Sequence, residues 1–204
     1  MSDRRVAAFD FDGTLTRRDT LVPFLVHACG RRSVGAALRK VAPVVARARI
    51  RSRSGGDHHR DVVKEHLLSS LLAGRDAAWF RGQGEEFSST LERRLRPEMT
   101  GQVAWHRAEG HELVIVSASL STYLAPFARD HGFDHVIAVD MEVDESGRLT
   151  GRLASPNVRG AEKARRLTRW LDGEPPEFLW GYGNSAGDRE LLEMADVPVW
   201  VTRP

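Results

Sequence analysis

Two aspartates lie two positions apart where a short apolar run of the sequence ends. Asp10 and Asp12 come after the apolar residues 6–9, and Asp12 is followed directly by Gly13 and Thr14, which indicate a turn. A turn here would let the two carboxylates point in different directions, so that one could attack a substrate while the other transfers protons. Glycine also permits close approach of the backbone, and threonine adds a hydroxyl and an amide. The pattern predicts a catalytic site at the end of a buried strand.

A second polar stretch follows the apolar run 113–116. Ser117, together with the amide groups of a helix expected to begin at Ala118, would form a cradle for a phosphate group. Ser119 is the better candidate for the cap of that helix. The alternative is that Ser117 is itself an ordinary helix cap.

Lys163 follows Gly160 near the start of another expected helix. An ammonium group at that position could reach a phosphoryl oxygen and neutralise negative charge in the transition state. The alternative is an exposed helix lysine, which is the usual environment of this residue type.

A glycine-rich stretch, residues 181–188, follows a further apolar run. It contains Asn184 and Asp188, whose side-chain oxygens are of the type that binds a hard cation. The alternative is an ordinary loop in which Asp188 caps the next helix.

From residue 97 onward, apolar runs of strand length alternate with helical patterns. We expect strands at 113–116, 136–139, 178–180 and 197–201, helices at 99–109, 161–171 and 189–194, and a hairpin within 141–153. This alternation predicts an α/β fold with a parallel sheet that is covered by helices on both faces. In open sheets of this kind, ligands bind at the carboxyl ends of the strands, where the four polar stretches would meet.

Between residues 20 and 96 the apolar residues recur at helical spacing, and no convincing strand pattern occurs. We expect three to four helices there, with breaks at Gly30, residues 54–56 and Gly74. The dipeptide at 96–97, Arg-Pro, would close the segment. The predicted organisation is a core domain of residues 1–18 and 97–204, with an all-helical insertion of residues 19–96.

Composition excludes several classes of protein. The chain has 204 residues, of which 41% are hydrophobic, so a packed core is expected. A lone cysteine, Cys29, cannot form an intramolecular disulfide, and no apolar stretch reaches the roughly 20 residues of a membrane span. The amino-terminal residues also lack a signal-peptide pattern. We therefore expect a cytoplasmic protein without stable membrane insertion.

The insertion contains a basic stretch between Asp19 and Asp57, in which no acidic residue occurs. Its eight basic residues are Arg31, Arg32, Arg39, Lys40, Arg47, Arg49, Arg51 and Arg53. A solvated helix face is the simplest interpretation, and attraction of an anionic substrate or a membrane surface are alternatives. Nucleic acid is not expected as a partner, because the stretch lacks the aromatic residues of a single-strand binder.

The four polar stretches together resemble the motifs of the haloacid dehalogenase (HAD) superfamily of hydrolases, and most closely its phosphoserine-phosphatase-like branch in subfamily IB. The matching segments are Asp10-Phe-Asp-Gly-Thr-Leu-Thr16, Ile115-Val-Ser-Ala-Ser119, Gly160-Ala-Glu-Lys163 and Gly183-Asn-Ser-Ala-Gly-Asp188. The helical insertion lies between the first and second motifs, as it does in that branch. The resemblance implies a Rossmann-like parallel sheet (the HAD fold) with an inserted helical cap.

The resemblance also implies a Mg²⁺-dependent phosphatase. Asp10 would attack phosphorus and form an aspartyl-phosphate, while Asp12 would protonate the leaving alcohol and then activate water. Mg²⁺ would be held by Asp10, the backbone carbonyl of Asp12, and the loop with Asn184 and Asp188.

Further residues would hold the substrate by the same resemblance. Ser117 and Lys163 would contact the phosphoryl oxygens, and Asp19 falls where the family places an acidic residue facing the leaving group. The remaining substrate-binding positions are Gly13, Thr14, Ala118 and Ser119.

One position departs from the family pattern, because an aspartate usually stands where this chain has Asn184. An asparagine offers a carbonyl oxygen to Mg²⁺ but no charge. We hypothesise that Asp188 compensates, or that the metal binds more weakly than in typical relatives.

The substrate cannot be read from these motifs, since the cap selects it. The resemblance permits phosphoserine, histidinol phosphate or another small phosphorylated alcohol or sugar. A phospholipid headgroup of the phosphatidylglycerophosphate type is an alternative. A non-catalytic module that binds a phosphorylated ligand is another, if Asn184 disables the metal site.

Overall fold

The computed structural model describes residues 4–51, 56–172 and 174–202. Within these ranges the strands are β1 (Arg5–Phe9), β2 (Glu112–Leu120), β3 (His135–Val139), β4 (Met141–Val143), β5 (Leu149–Leu153), β6 (Phe178–Gly183) and β7 (Val197–Trp200). Five of them form a parallel sheet in the order β3-β2-β1-β6-β7, while β4 and β5 pair as a separate antiparallel hairpin. The predicted α/β class is confirmed.

Central strand β1 shows why the sheet forms. Its residues Val6 to Phe9 are fully buried, because neighbouring strands lie on both sides and helices cover both faces. Phe9 pairs with Ile115 of β2 and with Tyr182 of β6. This register brings the carboxyl ends of the three strands to one edge of the sheet.

The helices are α1 (Leu21–Cys29), α2 (Arg31–Arg51), α3 (Gly56–Leu72), α4 (Ala77–Ser88), α5 (Pro97–Ala108), α6 (Ser121–His131), α7 (Ala161–Trp170) and α8 (Arg189–Glu193). Helices α1 to α4 lie in the insertion, and a short 3₁₀ turn at Glu92–Arg94 follows them. In the described part of the chain, no helix combines the length and apolarity that crossing a bilayer requires. The side chains of Arg47, Arg49, Arg51 and Arg53, from the basic stretch, lie outside the described part.

Strand β2 is longer than expected. The sequence predicted a strand that ends at residue 116 and a helix from Ala118, whereas β2 continues to Leu120 and α6 begins at Ser121. The extension follows from tertiary pairing, since buried Leu120 lies beside Val139 of β3 after an irregularity in the register. The expected helix amides at Ala118 and the expected helix cap at Ser119 are therefore wrong.

Helices of the insertion contact the rest of the chain on two sides. Helix α4 lies against α6, where Thr122 Oγ1 donates to the Phe80 carbonyl at 3.2 Å. The ring of Tyr123 packs against Phe24 and Phe87, with centroid distances of 5.0 and 5.4 Å. On the other side, the segment after α3 joins the β4–β5 hairpin through the bond from Gly74 N to Leu149 O at 2.8 Å.

Gly84 marks the closest approach of α4 to α6. A Cβ atom on Gly84 would lie 2.1 Å from the Thr122 carbonyl oxygen, whereas a Cβ on Gly82 of the same helix would meet no atom within 4 Å. We expect Gly84→Ala to lower the free energy of unfolding by about 1–3 kcal/mol, because two backbones must separate.

The matched control is Gly82→Ala, which should raise that free energy by up to about 1 kcal/mol through helix propensity. Urea denaturation of both variants measures the difference. Equal changes in the two variants would contradict the close contact between α4 and α6.

Candidate active site

Asp10 directly follows β1 at the carboxyl edge of the sheet and is almost completely buried. Its Oδ1 accepts a hydrogen bond from Lys163 Nζ at 2.6 Å, and its Oδ2 accepts one from Thr14 Oγ1 at 2.8 Å. Burial raises the pKa of Asp10, and the adjacent ammonium group opposes that rise. The carboxylate is thus held in one orientation by a cation and a hydroxyl.

The turn after Asp10 separates the two aspartates. Its bond from Thr16 N to Phe11 O measures 3.0 Å, and Gly13 has a φ of +84° inside it. A Cβ at Gly13 would also lie 2.2 Å from Asn184 Nδ2. Glycine is needed here for both its backbone conformation and its lack of a side chain. As expected from the sequence, the turn gives Asp12 surroundings different from those of Asp10.

The carboxylate of Asp12 accepts hydrogen bonds from neutral groups. Thr20 donates to Oδ1 from its amide at 2.9 Å and from its hydroxyl at 2.7 Å, while Ser119 Oγ donates to Oδ2. Removal from water, with a contribution from the charge of Asp19, raises the pKa of Asp12 to about 7. A carboxyl group with that pKa can both donate and accept a proton near neutral pH.

Lys163 is 2% exposed and bridges two carboxylates. Its Nζ lies 2.6 Å from Asp10 Oδ1 and 2.6 Å from Asp188 Oδ1. Burial lowers the pKa of Lys163, but the two carboxylates outweigh this effect and raise it above its usual value. The alternative of an exposed helix lysine is therefore wrong, and the ammonium remains charged.

Asp188 is equally buried and stabilises the loop that carries it. Its Oδ2 accepts hydrogen bonds from Ser185 Oγ at 2.7 Å, Ser185 N at 2.9 Å and Asn184 N at 3.1 Å. Burial opposes ionisation, but the Lys163 charge and these donors lower the pKa of Asp188. The two oxygens of Asp188 thus face Lys163 and its own loop.

Ser117, Ala118 and Ser119 form the extended end of β2 beside the two aspartates. The Ser117 hydroxyl oxygen accepts from Ser119 N at 3.1 Å, and Ser119 Oγ donates to Asp12. The carbonyl of Ala118 accepts a hydrogen bond from Lys64 Nζ at 2.5 Å. These groups therefore line the site in extended backbone rather than at a helix start.

Donors for a hard cation would have to include neutral oxygens. In the ranges that the structure describes, no three His, Cys, Asp or Glu side chains converge as a metal-binding group. Asp10 can offer a carboxylate oxygen, Asp12 its carbonyl and Asn184 its amide. In the structure Asn184 Nδ2 donates to the Asp12 carbonyl at 2.9 Å, so two of these three groups are already in contact.

Sequence reasoning missed several residues of the site. Thr20 donates to Asp12 directly, the Tyr123 hydroxyl bonds to that of Thr20, and Lys64 binds the Ala118 carbonyl next to Ser119. Asp19, predicted to bind substrate, is exposed, and its carboxylate accepts from Leu21 N at 3.0 Å at the start of α1. Its charge nevertheless contributes to the raised pKa of Asp12.

Comparisons with known proteins agree with this geometry. Residues 7–193 match the family described as haloacid dehalogenase-like hydrolase. The chain is 34% identical to protein CicA of Caulobacter vibrioides over 195 residues, which cover 94% of this chain and 83% of that protein. It is 30% identical to a Mycobacterium tuberculosis protein named as a probable phosphatase, over 93% of this chain and 66% of that protein.

A solved structure of substrate-bound phosphoserine phosphatase shares the fold. The TM-score is 0.60 at 15% sequence identity, and the match covers 94% of this chain and 83% of the other. At this level of identity the likeness concerns the arrangement of helices and strands.

The Lys163 cluster yields a stability prediction. We expect Lys163→Met to lower the free energy of unfolding by about 3–5 kcal/mol, because it leaves two buried carboxylates without their cation. The control is Arg165→Met on the same helix, where an exposed arginine pairs with Glu162 and its loss should change stability little. Urea denaturation in EDTA measures both, and similar small effects would argue against the buried cluster.

Proposed function

The chain belongs to the haloacid dehalogenase-like hydrolase family, and we propose that it is a Mg²⁺-dependent phosphatase acting through an aspartyl-phosphate on Asp10. The resemblance that the four motifs suggested is thereby confirmed at the level of the family. The observation that carries the proposal is the contrast between its two aspartates. Asp10 accepts a hydrogen bond from the ammonium group of Lys163, whereas Asp12 accepts hydrogen bonds from the neutral groups of Thr20 and Ser119.

The reaction divides between these two carboxylates. An Asp10 oxygen attacks phosphorus, the bond from phosphorus to the leaving oxygen breaks, and Asp12 gives its proton to the departing alcohol. Asp12, now ionised, takes a proton from the water that attacks the aspartyl-phosphate. Inorganic phosphate leaves, Asp10 is regenerated as a carboxylate, and Asp12 again carries a proton.

Groups around Asp10 hold the phosphoryl oxygens in this proposal. Lys163 offsets their negative charge, and the Ser117 hydroxyl lies at the adjacent strand end. The amides of Gly13, Thr14 and Ala118 are the remaining donors of the cradle. Ser119 remains a predicted substrate-binding residue, and its hydroxyl also orients Asp12.

Asp10, the Asp12 carbonyl and Asn184 fit a Mg²⁺ ion. The Asn184 amide end lies 2.9 Å from the Asp12 carbonyl oxygen, and amide and carbonyl oxygens are of the type that binds a hard cation. A half-turn of the amide exchanges Nδ2 for Oδ1, so Asn184 can satisfy the carbonyl without metal and serve as a ligand with it. When bound, Mg²⁺ would offset the repulsion between the carboxylate and the phosphate. Asp188 would support Asn184 and Lys163.

The insertion, residues 19–96, acts as the cap in this proposal and selects the substrate. Its helix α3 reaches the catalytic edge, where Lys64 contacts Ala118. We propose a small monoester as the substrate, such as phosphoserine, histidinol phosphate or another phosphorylated alcohol, with a lipid headgroup as the alternative. The substrate can be identified by screening phosphorylated metabolites, with phosphate release as the readout.

The function is tested with p-nitrophenyl phosphate and the variant Asp10→Asn. We expect the rate to fall at least about 1,000-fold, because the nucleophile is lost. The matched control is Asp130→Asn on the surface of α6, which should keep the wild-type rate. EDTA should abolish turnover by the wild type, and added Mg²⁺ should restore it.

Near-normal turnover by Asp10→Asn would exclude the mechanism. A wild-type protein that binds phosphate or vanadate without any turnover would instead be a binding module.

A second variant, Asn184→Asp, tests the role of Asn184 both with Mg²⁺ bound and without it. We expect it to tighten Mg²⁺ binding at least about tenfold, because ligand charge tunes affinity. It should also destabilise the metal-free protein, since a carboxylate oxygen would face the Asp12 carbonyl where an amide now donates. Calorimetric titration and thermal unfolding in EDTA measure these effects. Asn184→Ala is the control that gains no affinity, and an unchanged Asn184→Asp variant would refute the idea.

A further inference from the structure

Lys64 is a buried cation whose contacts lie outside its own helix. It belongs to α3 of the insertion and is 8% exposed. Its Nζ donates to the Ala118 carbonyl at 2.5 Å and to Asn157 Oδ1 at 2.6 Å. One ammonium group thus joins the insertion to two separate segments: the end of β2 and the loop before α7.

Asn157 is held from both ends of its side-chain amide. Its Nδ2 donates to Asp61 Oδ1 at 2.5 Å, while its Oδ1 accepts from Lys64. Asp61 and Lys64 are three positions apart on α3, so they lie on the same side of that helix. We call this set of residues, Asp61, Lys64 and Asn157, the α3 bridge.

On one side, the α3 bridge contacts the peptide group that orients Asp12. The Ala118 carbonyl shares its peptide unit with the amide of Ser119, which donates to Ser117 Oγ at 3.1 Å. The Ser119 hydroxyl in turn donates to Asp12 Oδ2. Because a peptide unit is planar, a rotation that moved the carbonyl away from Lys64 would also move Ser119.

On the other side, the α3 bridge contacts the segment that leads to Lys163. Asn157 precedes Gly160 by three residues, and Gly160 N donates to Gly187 O at 2.8 Å in the loop of Asp188. Helix α7, which carries Lys163, starts directly after Gly160. The bridge therefore spans both halves of the catalytic cluster.

We propose that Lys64 is a positioning residue of the hydrolytic reaction, which aligns Ser119 with Asp12 and the Asn157 loop with α7. The proposal rests on the proposed function. An unpaired buried cation is costly, and the hydrogen bonds of Lys64 to Ala118 and Asn157 offset that cost. Burial lowers the pKa of Lys64 to about 8, while Asp61, Asp12, Asp19 and Glu65 favour the charged form. The ammonium is therefore largely charged at neutral pH.

The test compares Lys64→Met with Ser70→Ala, a change at an exposed position of α3. With p-nitrophenyl phosphate we expect Lys64→Met to lower kcat about 10- to 100-fold, since small misplacements of catalytic groups have effects of that size. KM should stay within about threefold, because Lys64 does not hold the phosphate. Lys64→Arg should recover part of kcat, and Ser70→Ala should retain all of it.

Amide hydrogen exchange gives a readout that does not depend on turnover. We expect faster exchange at residues 117–120 and 157–160 in Lys64→Met, and no change there in Ser70→Ala. Asn157→Ala leaves the sequence of α3 unchanged and removes one end of the α3 bridge. It can therefore replace Lys64→Met in both measurements if Lys64→Met folds poorly. Its kcat loss should not add to that of Lys64→Met, because both remove the same link.

The outcomes separate this inference from the proposed function. Wild-type kcat and wild-type exchange in both Lys64→Met and Asn157→Ala would overturn the positioning role while leaving the phosphatase assignment intact. A wild-type protein without turnover would refute both the phosphatase assignment and this role in it. Strictly additive losses of kcat in the double variant would also overturn the bridge.

Discussion

The buried ammonium group of Lys163 between Asp10 and Asp188 is the interaction on which the site depends. It joins the end of β1, the start of α7 and the loop after β6, three segments far apart in the chain. Two buried carboxylates close to one ammonium group would repel each other without it, and their desolvation is costly. The cation between them offsets both free-energy costs. The parallel register of β1 with β2 and β6 brings these segments to one edge, and the ion pairs then define their orientation.

Asp10 and Asp12 illustrate how neighbouring residues of one type acquire different chemistry. They are separated by one residue, yet the turn at Gly13 directs Asp10 toward a cation and Asp12 toward two hydroxyl groups and an amide. In the proposed reaction, pairing with Lys163 favours the ionised form of the first carboxylate, which would act as the nucleophile, whereas loss of hydration favours the protonated form of the second. The division of roles in the proposed reaction follows from this contrast.

The insertion contributes to the catalytic groups themselves. Thr20 supplies both donors to Asp12 Oδ1, and Lys64 contacts the strand end that carries Ser119. The described insertion is also held at two other places, by α4 against α6 and by the segment after α3 against the β4–β5 hairpin. A change in the position of α3 would therefore affect Asp12 through hydrogen bonds. In the proposed reaction, this would connect substrate selection by the insertion with proton transfer by Asp12.

Local patterns in the sequence were sufficient for the α/β class, the helical character of the insertion and the four motifs, because burial periodicity and turn residues act over a few neighbours. They failed at Ser119, since the extension of β2 arises from pairing of Leu120 with Val139, a contact across the chain. Lys64 carried a signal that was overlooked: it shares the helix face of Leu67, Leu68 and Leu71, all buried. Its partners could not be inferred, because hydrogen bonds between distant segments exist only once the tertiary structure has formed. Tertiary packing likewise decided that Thr20 would contact Asp12.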